Sequence, residues 1–278
     1  MSQLLHARFS VDYPNKPGVL REVELDIREG EILGLVGESG SGKSTIALAL
    51  LRLLDHKGGI VTGEVLFNGR DLLQLRSGEM RQIRGRDIAL VLQSPIASLN
   101  PALRIGTQIA EAWRAHNPEA RLWKQRALEL FDLVSLPAEE GFLSRYPRQL
   151  SVGQAQRVLI AMAILHQPRL LIADESTSAL DAITQSEILA LFQRLNQELN
   201  MAMLFISHDL LSVASLCQRI AILQNGRIIE SGSTRQMFRE PRTEDTRALL
   251  QAVLRNSLAA TDLVTTTELA GVAEPKPR

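Results

Sequence analysis

Residues 4–32 alternate apolar and polar positions, as in Val23, Leu25 and Ile27 against Glu24, Asp26 and Arg28. A period of two predicts antiparallel strands with one buried face. Residues 63–67 repeat the pattern and close on Asn68-Gly69, a dipeptide that accepts positive φ in a tight turn. Four other runs, 32–36, 88–92, 170–173 and 203–206, are almost uniformly aliphatic. Strands covered on both faces have this composition, and helical patterns lie between several of the runs, so an α/β architecture with a parallel sheet is predicted. Residues 94–150 lack such a run, show helical periodicity over 105–115 and 123–134, and are punctuated by Pro95, Pro101, Pro118, Pro137 and Pro147. This segment reads as a helical insertion. Asn225-Gly226 separates two short apolar runs as a hairpin turn would. Residues 255–278 contain no aromatic side chain and end in Glu-Pro-Lys-Pro-Arg, so a mobile tail is expected there.

Composition narrows the functional classes. With 278 residues and 45% hydrophobic content the chain can bury a sizeable core, and 31 basic against 31 acidic residues leave no overall field for holding nucleic acid or an anionic membrane. No apolar run approaches the ~20 residues of a bilayer-spanning helix, and residues 1–10 lack a secretory apolar core, so a cytosolic location is expected. Cys217, the single cysteine, permits neither an internal disulfide nor a cysteine cluster. Aromatic residues are only 4%, which requires an aliphatic core.

Candidate chemistry begins directly after the first aliphatic run. Gly37-Glu-Ser39-Gly40-Ser41-Gly42-Lys43-Ser44-Thr45 has the spacing of a phosphate-binding loop and precedes a helical pattern. Its glycines let successive N–H groups turn toward phosphate, Lys43 can reach β and γ oxygens, and Ser44 can hold Mg²⁺. A tight turn capping a helix would not require a lysine followed by a hydroxyl. The loop alone leaves kinases, GTPases and motors open. Asp174-Glu175 ends the third aliphatic run, at the strand edge where open α/β sheets bind ligands. Asp174 suits a Mg²⁺ shell, and Glu175 suits a base that polarises water for in-line attack on a γ-phosphate. Ser151 is a plausible N-cap before the helical run 154–165, making a second anion-binding helix tip. One ATP cannot easily satisfy both tips within one chain.

Further segments, in order, resemble the ATP-binding-cassette (ABC) ATPase family. Gln93 stands where that family has its Q-loop glutamine, Leu150-Ser151-Val152-Gly153-Gln154 resembles the LSGGQ signature, Ser178-Ala-Leu-Asp181 the D-loop, and Ile206-Ser-His208-Asp209 the switch-histidine segment. The resemblance spans about residues 4–254. It implies a cassette fold within residues 1–254, with a RecA-like parallel-sheet core, an antiparallel β-subdomain and a helical subdomain at about 94–150. It also implies ATP and Mg²⁺ as ligands, Gln93 coupling the metal site to the helical subdomain, His208 touching the γ-phosphate, Tyr13 stacking on adenine, and Asp181 belonging to the composite site. In the family two cassettes pair head to tail, each phosphate loop facing the other's signature.

Two positions depart from the family pattern. Val152 replaces the first signature glycine, and because a β-branched residue resists positive φ, strain of about 1 to 3 kcal/mol is expected if that geometry is required. Ser176 stands where a proline is usual. Gln93-Ser-Pro-Ile-Ala-Ser-Leu-Asn-Pro101 is similar to the peptide, opine and nickel importer ATPases, and residues 240–250 resemble their C-terminal pattern more loosely. This implies a bacterial importer subunit at the cytoplasmic face of the inner membrane. Its partners would be two membrane permeases, an external solute-binding protein acting indirectly, and a second cassette, a paralogue rather than a copy, with no nucleic acid. Dipeptides or oligopeptides are the expected cargo, nickel or opines the alternative, and a soluble non-transport ABC ATPase the reading from another class.

Overall fold

The computed structural model describes residues 2–117 and 120–251. Pro118 and the expected tail at 255–278 lie outside them. The alternating N-terminal segment forms two long strands, β1 (Gln3–Tyr13) and β2 (Lys16–Arg28), paired antiparallel with Leu5 opposite Ile27 and Phe9 opposite Val23. A second sheet begins with β3 (Ile32–Val36), while β4 (Ile60–Phe67) returns to the free edge of β1 and short β5 (Arg70–Asp71) completes the antiparallel order β2-β1-β4-β5. The remaining strands, β6 (Ile88–Val91), β7 (Leu170–Asp174), β8 (Ala202–Ser207), β9 (Arg219–Gln224) and β10 (Arg227–Ser233), join β3 in the order β10-β9-β3-β8-β7-β6.

Both faces of this second sheet are covered, which explains its aliphatic runs. Leu33 and Leu35 of β3, Ile172 of β7 and Leu204 of β8 pack toward the antiparallel sheet, while Ile32, Val36, Ala173 and Phe205 pack into a second cluster. Every residue of β3, β7 and β8 is buried. Such side chains contribute roughly 1.5–3 kcal/mol each when fully withdrawn from water. Two details differ from the sequence pattern. Leu92 lies past the end of β6 and is exposed. The hairpin at Asn225-Gly226 forms, but β9 is also a parallel neighbour of β3, with Leu35 opposite Ala221. A strand so short with both faces buried carries no periodicity that separates these roles.

The helices are α1 (Lys43–Leu50), α2 (Ser77–Ile83), α3 (Pro95–Ser98), α4 (Ile105–Arg114), α5 (Trp123–Leu133), α6 (Glu140–Leu143), α7 (Val152–Ala163), α8 (Ala182–Leu199), α9 (Leu210–Leu216) and α10 (Thr234–Arg239). Helices α3 to α6 occupy the predicted insertion, and no strand interrupts residues 94–150 among those described. Helix α7 packs on α3 and α5 and reaches β6, tying the insertion to the sheet. Among the described residues no helix is long and apolar enough to cross a membrane.

Candidate nucleotide site

The phosphate loop spans the gap between the end of β3 at Val36 and the start of α1 at Lys43. Gly42 caps α1 at φ 110°, a conformation that L side chains rarely adopt, and the helix then closes with Ile46 N–H donating to Gly42 O at 3.0 Å. Lys43 is buried at 5% exposure, and its ammonium donates to Gly37 O at 2.9 Å and Glu38 O at 3.0 Å. The side chain thus folds back over the loop it would fill with phosphate.

Strand β7 delivers the two acids. Asp174 is its last residue and is 7% exposed, and its Oδ1 is buried without a hydrogen-bond partner. Burial pushes this carboxyl above the usual range. The Ser44 hydroxyl opposes that shift, the Glu175 charge adds to it, and the Lys43 ammonium opposes it again. Glu175 follows at φ 47°, in the left-handed region, with its N–H held by Ile206 O at 2.9 Å. A non-glycine residue there costs about 1 to 3 kcal/mol and persists only where its surroundings fix it.

Three predicted residues converge on the Glu175 carboxylate. Lys43 Nζ lies 3.6 Å from Oε1, His208 Nδ1 3.7 Å from the same oxygen, and Gln93 Nε2 donates to Oε2 at 3.1 Å. Gln93 also donates to Ser178 Oγ at 3.1 Å, and Ser178 Oγ donates in turn to the Glu175 carbonyl at 2.9 Å. Sequence reasoning placed Ser178 only at the start of a motif; no residue-type signal marks it as a brace for Gln93 and Glu175.

A cavity of about 450 Å³ joins these groups, lined in part by Tyr13, Ser39, Gly40, Gly42, Lys43, Ser44, Thr45, Gln93 and Glu175. Tyr13 sits at the end of β1 with its ring beside Gly59, where an added Cβ would come within 3.2 Å of the ring. Lys16 and Val19, from the segment that follows Tyr13, also line the space. Gly37 and Ser41 belong to the loop but not to this lining; Ser41 Oγ is buried without a partner.

Ser151, Gly153 and Gln154 do not line the cavity. Ser151 caps α7 as predicted: Gln154 N–H donates to Ser151 Oγ at 3.1 Å and Ser151 N–H donates to Gln154 Oε1 at 3.2 Å. Val152 is the first residue of α7, is not among the positive-φ residues, and is 43% exposed, so the strain expected from its β-branch does not arise. Helical N1 geometry is open to any side chain. Gly153 faces α8, where an added Cβ would meet Thr184 Cγ2 at 2.9 Å. Asp181 caps α8, accepting from the N–H groups of Thr184 and Ile183 and from the Thr184 hydroxyl, and these bonds hold its carboxyl below the usual range. Its observed work is helix capping. Asp209 caps α9 in the same way.

A glycine loop opening a helix after a buried strand, with an acid pair on a neighbouring strand end, defines a P-loop nucleoside triphosphatase. The profile of the ABC transporter family matches residues 20–178, and the chain belongs to that family as an ATP-binding, ATP-hydrolysing subunit. It is 44% identical to the dipeptide transport ATP-binding protein DppD of Haemophilus influenzae over 234 residues, 83% of this chain and 70% of that one. It is also 44% identical over 241 residues to the glutathione import ATP-binding protein GsiA of Pectobacterium atrosepticum, covering 84% of this chain but 39% of that longer protein. The fold matches a dimeric ATP-binding cassette, MJ0796, in a post-hydrolysis state with ADP and Pi, at a TM-score of 0.70 and 29% identity, over 84% of this chain and 99% of that one.

Proposed function

We propose that the chain powers a bacterial importer of dipeptides or related small peptides by hydrolysing ATP at the cavity between Tyr13 and Glu175. The observation that carries hydrolysis is the convergence of Lys43, Gln93 and His208 on one carboxylate. In this reading the loop amides and Lys43 bind the β- and γ-phosphates, with Ser39 to Thr45 around them and Tyr13 against the adenine. Lys43 exchanges its carbonyl partners for phosphate oxygens. Glu175, held by Gln93, accepts the proton of an attacking water, while His208, with a 58% exposed side chain, donates to the γ-phosphate.

Mg²⁺ fits this site: the orphaned Asp174 Oδ1 and the Ser44 hydroxyl beside it form a hard-oxygen pair, and Gln93 could add a third oxygen. Among the described residues no cluster of three His, Cys, Asp or Glu side chains could hold a metal, so most of the shell would come from phosphate and water. When bound, the ion neutralises charge developing on the transferred phosphoryl group.

Ser151, Gly153 and Gln154 form a second, exposed anion-binding tip that would clamp the γ-phosphate of a partner cassette, with Asp181 near the junction. At the cytoplasmic face of the inner membrane the chain would pair with a paralogous second cassette and dock on two membrane permeases, with an external binding protein delivering cargo from the other side. Similarity to DppD and GsiA supports peptide cargo over nickel or opines. Coexpression with the permease pair of a dipeptide importer and its binding protein should yield a complex whose ATP turnover rises when the binding protein is loaded with dipeptide. Unchanged turnover with every peptide would overturn the cargo class.

A further inference from the structure

A second cavity of about 450 Å³ shares no lining residue with the nucleotide site. It opens between the turn entering β6, the C-terminal ends of α4 and α7, and the first half of α5. No carboxylate lines it among the described residues, whereas Arg86, Arg126, His116 and His166 all do. Arg86 is exposed and makes no hydrogen bond or ion pair among the described residues. Arg126 uses Nε on Leu165 O at 3.4 Å and Nη1 on Glu129 at 3.2 Å, leaving Nη2 with no hydrogen-bond partner among the described residues.

The two histidines are fixed differently. His116 Nε2 lies 2.9 Å from Arg84 O and must donate to it, so Nδ1 is the open position, and that atom is buried with no partner among the described residues. His166 is satisfied at both nitrogens, by Ala112 O at 3.1 Å and the Asn117 amide at 3.1 Å. Burial holds the His166 ring below its ordinary range, partly opposed by the Ala112 carbonyl, and the nearby His116, Arg86 and Arg126 push the same way as burial. Trp113 stacks on His166 at 5.6 Å and His116 meets the same ring edge-on at 4.9 Å, giving the cavity an aromatic wall.

We infer that this cavity binds a small phosphate-type oxyanion, gripped by Arg86 and Arg126 with His116 Nδ1 accepting a P–O–H. Guanidinium forks match tetrahedral oxyanions, and the volume lies within the range of small-molecule sites. Although Arg126 is partly neutralised by Glu129, no carboxylate lines the recess among the described residues, and a net positive recess attracts anions. The phosphoryl group could belong to a soluble metabolite or to a lipid headgroup. Because Arg86 lies on the sheet side and Arg126 on the helical insertion, the bound anion would bridge the two.

The test uses the full chain with Trp123→Phe, which leaves Trp113 as its only tryptophan, saturated with Mg²⁺ and a non-hydrolysable ATP analogue so that the γ-phosphate position is filled as well. Trp113 emission is followed while inorganic phosphate is added, and separately while vesicles of phosphatidic acid or phosphatidylcholine are added. A saturable change with phosphate assigns a soluble ligand, and one with phosphatidic acid vesicles alone assigns a headgroup. In either case Arg86→Gln, at an exposed position, should weaken the response about tenfold. No saturable change with either probe, or a change undiminished in Arg86→Gln, overturns the assignment.

Discussion

Gly37→Ala isolates the contact that anchors the phosphate loop to the sheet. A Cβ on Gly37 would stand 2.2 Å from the Leu223 carbonyl oxygen, backbone of the neighbouring β9, and 2.8 Å from Ser41 Oγ. Reaching ordinary contact requires opening by about 1 Å, and the obstacle cannot rotate away because β9 is registered on β3 up to the pair Val36 and Ile222. Overpacking of this kind costs about 1 to 3 kcal/mol, or a Tm lower by about 2 to 5 °C in a chain of this size. A shift of that size would also pull the Gly37 carbonyl off Lys43, now bonded at 2.9 Å, and is expected to weaken ATP binding about tenfold or more. Differential scanning calorimetry and titration with a fluorescent ATP analogue read both effects. Gly78→Ala is the control, since nothing lies within 4 Å of its added Cβ and the position is exposed in the first turn of α2, so neither Tm nor affinity should fall. A Gly37→Ala protein with wild-type Tm and wild-type affinity would refute the packing argument.

Asp174→Asn removes a buried charge with an unpartnered oxygen while keeping its shape, and is expected to raise the Tm of the nucleotide-free protein by about 2 °C while abolishing its stabilisation by MgATP; a lower Tm would contradict this. Val152→Gly should lower the Tm by no more than about 1 °C, because glycine is only a few tenths of a kcal/mol poorer than valine in a helix; a clearly higher Tm would mean that valine was strained after all. Burial raises the Glu230 carboxyl, but N–H groups of Arg242 and Thr243 at 2.9 and 3.0 Å outweigh it and hold the group below its usual range. A depressed carboxylate contributes its stability above the unfolded-state pKa and loses it as pH falls through the folded one. Glu230→Gln should therefore cost about 1 to 2 kcal/mol at neutral pH, with the difference from wild type closing as pH drops below the ordinary carboxylate range; a gap independent of pH would contradict the reading.

The sheet was legible because strands buried on two faces leave uniform aliphatic runs, and the β3, β7 and β8 runs fell where expected. The cap at Ser151 was legible too, since Ser at the start and Gln three residues on satisfy each other's backbone groups. What stayed hidden depends on backbone geometry or on residues brought together from distant segments. Nothing in the residue type announces the left-handed φ of Glu175, which follows from its anchoring to Ile206. Ser178 braces Gln93 across 85 positions of sequence, and the Arg86 and Arg126 recess is assembled from separate elements. At Val152 the condition for strain, a positive φ, could not be read from residue type, and the backbone there is helical.

The central proposition is that Glu175 activates the water that cleaves ATP. Phosphate release by Glu175→Gln, measured over many turnovers alongside ATP affinity, tests it most directly. The account expects affinity within a few-fold of wild type and release reduced about 100-fold or more. Release at the wild-type rate, with nucleotide bound equally well, would contradict it.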